Sequence, residues 1–209
     1  MKNTYPGFFV IIEGIDGSGK STLANNLYLA LKKQGKDCLL TFEPTKGQWG
    51  AILRQSFFSE QRLAPEQELN LFMKDREEHI EKVIVPALKQ GRIVICDRYF
   101  YSTAAYQGAR GLDPIRIIET CKEASIEPDL CIFLEIEPQE AVKRIRHGRK
   151  EDVNNFEELD YLTKVAHIYD QIKDECVVLD AQNSIENLTQ QAIRILLERL
   201  KEKVRSSSS

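Results

Sequence analysis

The sequence predicts an α/β protein built on a doubly wound five-stranded parallel sheet, flanked by helices on both faces. Five short apolar runs carry the prediction: Phe8 to Glu13, Cys38 to Phe42, Arg92 to Asp97, Leu130 to Glu135 and Cys176 to Asp180. Each is strand-length and apolar on successive residues, as strands covered on both faces require. Helix-length stretches separate them, and that alternation favours parallel crossover units. A glycine-rich turn joins the first run to the first helical stretch.

Each helix has its own signal. After the first run, Leu23, Leu27 and Leu31 recur at four-residue spacing. A long helix opens near Pro65, a residue suited to a first helical turn, and its apolar face runs from Leu69, Phe72 and Met73 to Ile84, Ala87 and Leu88. Pro86 is expected to bend that helix or end it early. The last helix, Ile185 to Val204, carries Leu188, Ala192, Ile195, Leu196 and Leu200. Ser206 to Ser209 is expected to be a disordered tail. Lys143 to Asn155 is almost wholly polar and rich in arginine, which fits a solvated loop with the end of a helix.

The chain has 209 residues, 42% hydrophobic and 29% charged, enough to bury a core without disulfides or a structural metal. One domain over residues 1–205 is expected. A net charge of −3 gives no general hold on nucleic acid or anionic lipid, so neither is expected as a partner. No run approaches the roughly 20 apolar residues of a membrane span. The opening run is too short and too poorly flanked for a signal peptide, so a cytoplasmic location is expected. The five cysteines form no C-x-x-C pair and read as reduced, with a cysteine metal site disfavoured.

The decisive segment is Gly14-Ile15-Asp16-Gly17-Ser18-Gly19-Lys20-Ser21-Thr22, which fits G-x-x-x-x-G-K-[ST] between a strand and a helix. Its glycines let consecutive N–H groups turn inward around phosphates, and the following helix adds the positive end of its dipole. Lys20 is placed on the β and γ phosphates of ATP and Ser21 on Mg²⁺. No [NT]-K-x-D guanine-reading motif occurs. The third run ends Asp97-Arg98-Tyr99, so Asp97 is placed on the Mg²⁺ shell. Arg98, following the acid directly, suits an anionic acceptor better than water.

These motifs, with four further features, resemble the thymidylate kinase family of the nucleoside monophosphate kinase superfamily over nearly the whole chain. The further features are Glu43-Pro44 with Arg54 eleven residues after Glu43, Phe72-x-x-x-Arg76, Asp97-Arg98-Tyr99-x-x-Ser102-Thr103-x-x-Tyr106-Gln107-Gly108, and an arginine-rich stretch near Arg146 that matches the family's lid, residues 144–156. The resemblance implies that Phe72 stacks on thymine, although core packing fits its position equally. It also implies that Arg76, Thr103 and Gln107 read the base, that Tyr106 packs against the sugar and that Asp16 accepts from the 3′-hydroxyl. Glu43 belongs to the same substrate set. Arg54 and Arg98 would grip the acceptor phosphate bidentately, with a surface salt bridge the plain alternative for Arg54.

Two departures bear on the site. Many relatives carry an arginine before Glu43, where this chain has Phe42; Phe42 is expected to pack beneath the site and Lys46 to replace some charge. Gly17 and Ser18 leave no arginine in the phosphate loop, so catalytic charge is expected from the lid, from Arg149 first and Arg146 second. The implied reaction is transfer of the γ-phosphoryl of ATP to dTMP, giving dTDP, with another nucleoside or deoxynucleoside monophosphate kinase as the alternative. A homodimer is also implied, and the Phe57-Phe58 pair offers it a contact.

Overall fold

The computed structural model describes residues 1–59, 61–148 and 155–206. Its centre is a five-stranded, all-parallel sheet in the order β2-β3-β1-β4-β5. The strands are β1 (Phe8–Glu13), β2 (Cys38–Phe42), β3 (Ile93–Asp97), β4 (Leu130–Glu135) and β5 (Val177–Asp180). The doubly wound α/β expectation is therefore met, each strand lying within a residue of its apolar run. β1 lies at the centre, and all six of its residues are buried, which explains why it reads as a continuous apolar run.

Around the sheet run α1 (Lys20–Lys33), α2 (Gln48–Phe57), α3 (Pro65–His79), α4 (Val85–Lys89), α5 (Phe100–Gly108), α6 (Pro114–Ala124), α7 (Pro138–Gly148), α8 (Asn155–Ile172) and α9 (Ile185–Ser206). α1 buries Leu23, Leu27 and Leu31, the residues whose spacing announced it. α3 opens on Pro65, and Gln67 Oε1 accepts from the N–H of Ala64. Asp113 caps α6 by accepting from the N–H groups of Ile115 and Arg116 at 3.0 and 3.2 Å.

Pro86 does not end the long helix where it stands. A π-helical turn, Ile80–Ile84, joins α3 to α4, and the helix runs on to Lys89. A wider turn before Pro86 absorbs the ring and the missing N–H without breaking the rod. α9 ends at Ser206, the first residue of the expected tail; the others lie outside the described residues. Lys203 ties that last turn to the sheet, donating to Asp129 Oδ1 and to the carbonyl of Gly7, both at 2.8 Å.

The cysteines depart from expectation. Cys131 and Cys176 are joined by a disulfide, with Cα atoms 4.6 Å apart, while Cys38, Cys96 and Cys121 are free and buried. Register is the cause. β4 pairs Ile132 with Val177, so the preceding residues of the two strands meet, although 45 positions separate them in sequence.

Strand register also builds the site. Ile12 pairs with Asp97 and Phe42 with the same residue, so β2, β1 and β3 end side by side. Glu43, Gly14 and Arg98 follow those ends, at the carboxyl edge where open α/β sheets bind ligands.

Candidate active site

The phosphate loop leaves β1 with Gly14, Gly17 and Gly19 at φ of 142°, 81° and 96°. Two of them also make room. A Cβ on Gly14 would stand 2.7 Å from the carbonyl oxygen of Leu134, and one on Gly17 would stand 2.4 Å from that of Ala141. The loop is thus wedged between the end of β4 and α7, and only glycine fits those positions. Lys20 is buried and donates to the carbonyl of Ile15 at 2.7 Å. Burial, and next the charge of Arg98, lower its pKa to about 8. Ser21 Oγ donates to Asp97 Oδ2.

A cavity of about 330 Å³ lies over this loop, lined by Asp16, Gly17, Gly19, Lys20, Ser21, Thr22, Arg98, Arg144 and Ile145. Asp97 Oδ1 is buried beside Ser21 without a hydrogen bond, as is Ser18 Oγ. The donor set fits a triphosphate with Mg²⁺: inward backbone N–H groups, one buried ammonium, one hydroxyl, and an acceptor left open for a metal-bound water.

A second cavity of about 340 Å³ adjoins the first. Asp16, Glu43, Phe72, Arg98, Thr103 and Tyr106, all expected from the sequence, line it. Asp16 and Arg98 line both cavities and pair with each other between them. Arg98 is held with φ at 68°, a left-handed conformation rare outside glycine. Its N–H donates to the carbonyl of Ile12 at 3.0 Å, so the strained residue turns the chain back over the phosphate loop.

Behind Arg98 stands a polar relay. Nη1 of Arg98 donates to Ser102 Oγ at 2.9 Å, and Ser102 donates to Glu13. Glu13 is fully buried at the end of β1 and also accepts from the N–H of Tyr99 at 2.8 Å and the hydroxyl of Tyr169 at 3.0 Å. Burial raises its pKa, against the opposing pull of Ser102 and Arg98. The guanidinium of Arg98 also lies over the ring of Tyr106, 5.0 Å from its centre. Tyr106 Oη accepts from the N–H of Asp16 at 2.9 Å.

Three expected substrate residues do not line the cleft. Arg76 is 1% exposed; it donates to Glu43 through Nε at 2.9 Å and to Thr103 through Nη2 at 2.8 Å. His79 Nδ1 meets the other Glu43 oxygen at 3.0 Å, and its Nε2 meets Thr41 Oγ1 at 2.7 Å. Gln107, also 1% exposed, donates to the buried Glu68 at 3.1 Å. Arg54 donates to the carbonyls of Pro44 and Thr45 and shapes the loop after β2.

The residues around that loop also differ from expectation. Phe42 is 39% exposed rather than packed beneath the site. With Lys46 it lines a separate cavity, shared with Glu78 and Lys82, because β2 is an edge strand whose end faces outward. Phe57 and Phe58 line the mouth of the acceptor cleft, and Phe57 stacks with Phe72 at 6.2 Å.

Of the two lid candidates, Arg149 lies outside the described residues. Arg146, in the last turn of α7, faces Glu158 at 3.9 Å and lines neither cavity. Sequence reasoning missed Arg144, which lines the phosphate cavity and donates to the carbonyl of Ala181 at 3.0 Å. It also missed Arg62 and Tyr161 at the acceptor cleft. Neither lies within a recognisable motif, and only folding brings the α2–α3 loop and α8 to the same opening.

A strand, glycine loop and helix bearing Lys20 and Ser21, beside an arginine-gated second cleft, define a P-loop phosphotransferase of nucleoside monophosphate kinase type. A thymidylate kinase family model matches residues 12–192. The chain belongs to the thymidylate kinase family. It is 39% identical over 197 residues to a thymidylate kinase of Desulfotalea psychrophila, covering 94% of this chain and 97% of that one. It is also 39% identical over 188 residues to a probable thymidylate kinase of Archaeoglobus fulgidus, covering 90% and 93%. A thymidylate kinase of Xanthomonas campestris pv. campestris is 39% identical over 200 residues, covering 95% and 87%.

Proposed function

We propose that the protein transfers the γ-phosphoryl group of ATP, bound with Mg²⁺, to the 5′-phosphate of dTMP, giving ADP and dTDP. The observation that carries this reading is the pair of cavities sharing Asp16 and Arg98, one a phosphate cradle and the other an aromatic-walled cleft. A donor in the first and a nucleotide in the second would meet at Arg98.

The attacking atom is an acceptor phosphate oxygen, already anionic, so no strong general base is needed. It bonds to the γ phosphorus as the bond to the β-bridging oxygen breaks. Catalysis then rests on position and charge. Lys20 holds the β and γ phosphates. Arg98, released from Asp16, holds the acceptor phosphate against them, and Ser102 with Glu13 keeps its guanidinium in place. Asp16, released in turn, accepts from the sugar 3′-hydroxyl. Phe72 covers the base and Tyr106 the sugar, while Arg54 acts through the loop it holds. Ser21, and Asp97 through a bound water, would hold Mg²⁺, which would supply charge neutralisation at the transferring group. Closure of a lid over residues 144–156 would exclude water and bring Arg149 or Arg146 to the γ-phosphoryl.

No helix among the described residues is long and apolar enough to cross a membrane. A cytoplasmic location, where ATP and deoxynucleotides are found, is proposed with the activity, and so is one domain over residues 1–205. A homodimer is proposed on the family resemblance alone; sedimentation of the purified protein tests it.

The activity is tested by following ADP release from Mg²⁺-ATP with dTMP, dUMP, dCMP, UMP, AMP, thymidine or no acceptor. ADP formed with dTMP well ahead of the others is the expected result. Equal release with every acceptor and with none would replace the kinase by a hydrolase.

A further inference from the structure

Tyr161 stands on the second turn of α8, outside every motif that marks the site, yet it lines the acceptor cleft. Its hydroxyl donates to the backbone carbonyl of Tyr106 at 3.2 Å, across 55 positions of sequence. That carbonyl needs a donor. A regular helical turn would send it the N–H of Arg110, but α5 ends at Gly108 and that N–H goes to the carbonyl of Gln107 at 3.1 Å. Tyr161 therefore caps α5 from a different helix. The same hydroxyl also hydrogen-bonds Arg62, in the loop between α2 and α3. A hydroxyl has one proton to give and lone pairs to receive, so one atom serves both contacts. Burial raises its pKa, against the opposing pull of Arg62 and Arg110, and the proton that reaches Tyr106 stays in place at neutral pH.

What Tyr161 holds identifies what it does. Its ring meets that of Tyr106 edge on, with centres 6.2 Å apart. The Tyr106 ring also lies under the guanidinium of Arg98, and its hydroxyl accepts from the N–H of Asp16 at 2.9 Å. Tyr106 is thus fixed at its tip by Asp16 and at its backbone by Tyr161, and loss of the Tyr161 hydroxyl frees the backbone end alone. With Asp16 accepting from the sugar 3′-hydroxyl, the tip of Tyr106 beside it falls against the adjoining edge of the sugar, at C2′.

We propose that Tyr161 is a positioning residue of the acceptor cleft: by capping α5 it holds the Tyr106 ring against the sugar and so sharpens the preference for deoxyribose over ribose. The inference rests on the reading of the second cavity as the site of dTMP, with Tyr106 on the sugar. A ring kept in contact with a bare C2′ leaves no room for a hydroxyl there, whereas a ring free to shift admits one. Phenylalanine at position 161 would fill the same space and leave the carbonyl of Tyr106 without its donor.

The test compares the full-length wild-type protein with Tyr161→Phe, on dTMP and on ribothymidine 5′-monophosphate, which differs from it only by the 2′-hydroxyl. Loss of the capping hydrogen bond should raise KM for dTMP by about fivefold, with kcat and KM for ATP within about twofold. The ratio of kcat/KM between the two acceptors should narrow by about fivefold, because a loosened ring loses contact with the deoxy sugar and clashes less with the ribose. A role in folding alone would weaken both acceptors alike; an unchanged ratio therefore overturns the inference, as does an unchanged KM for dTMP. If Tyr161→Phe does not fold, Tyr161→Leu also lacks the hydroxyl, and the same ratio applies. Wild-type protein inert toward dTMP overturns the acceptor reading itself. Wild-type protein equally active on both acceptors overturns the placing of Tyr106 on the sugar, and the inference with it. Wild-type protein that prefers dTMP, beside a variant that prefers it as strongly, overturns the role of Tyr161 alone.

Discussion

Asp16 and Arg98 form an ion pair at the boundary between the two cavities, and each residue lines both. One comes from the loop after β1 and the other from the first position after β3, brought together by the pairing of Ile12 with Asp97. The pair occupies the place where the proposed donor and acceptor phosphates would approach each other. An acceptor phosphate would take the guanidinium from Asp16 and free that carboxylate for a sugar hydroxyl.

Arg98→Lys tests this directly. Lysine keeps the charge but cannot hold Ser102 and a phosphate in one planar fork. The expected outcome is a fall in kcat of about 10³-fold, the lower range for a catalytic arginine, with KM for ATP little changed. Steady-state kinetics with dTMP varied at saturating ATP measures it. A loss confined to KM would make Arg98 a binding group only.

Lys20 predicts a pH dependence. Its pKa is lowered to about 8, first by burial and then by the positive charge of Arg98. The proposed contact with phosphates requires the protonated form. Affinity of the free protein for ATP should therefore be level below pH 8 and fall about tenfold per pH unit above it. Bound phosphates favour the charged ammonium, so kcat should stay level to higher pH than kcat/KM for ATP. Arg98→Gln removes one cause of the shift, and the inflection should move to higher pH. Titration with a fluorescent ATP analogue reads it without turnover.

The same residues show what was legible in the sequence. The strand runs and the phosphate loop are local patterns, and the structure places them as read because burial on both faces and a glycine-dependent turn are written in consecutive residues. Phe72, Thr103 and Tyr106 line the cleft as their motifs imply. Arg76 and Gln107 lie on the same helices, but helical spacing fixes a face and not which neighbour the side chain reaches. Both are held by buried acids, Glu43 and Glu68, which only the packing of α3 against β2 and α5 places beside them. Arg62, Arg144 and the Cys131–Cys176 pair depend on contacts between distant segments, and periodicity carries no trace of those.

Glu43 and Arg76 make a prediction about stability. Both are buried, their charged atoms are 2.8 Å apart, and Arg76 also lies over the ring of Tyr99. Glu43→Ala leaves the guanidinium buried without an anion, which should cost about 3–5 kcal/mol. The double variant Glu43→Leu with Arg76→Met removes both charges and should cost less than the two single changes added together. Urea denaturation of the wild type, Glu43→Leu, Arg76→Met and the double variant measures the coupling. Additive costs would mean that the pair contributes nothing beyond its packing.

Arg144 and Arg146 lie two residues apart near the end of α7, and the structure separates their roles. Arg144 lines the phosphate cavity and is anchored by the carbonyl of Ala181, just beyond β5. Arg146 faces Glu158 on α8 at 3.9 Å and lines neither cavity. Arg144→Ala should therefore weaken the donor, raising KM for ATP by about tenfold while leaving KM for dTMP within about twofold, since the lost contact is one charged group to phosphate. Arg146→Ala should leave KM for ATP nearly unchanged and lower kcat only if α7 and α8 close together during turnover. A fall of about 10³-fold in kcat for Arg144→Ala, with KM for ATP unaltered, would make Arg144 the source of the transition-state charge that the sequence assigned to Arg149. Arg149→Ala would then turn over as the wild type does.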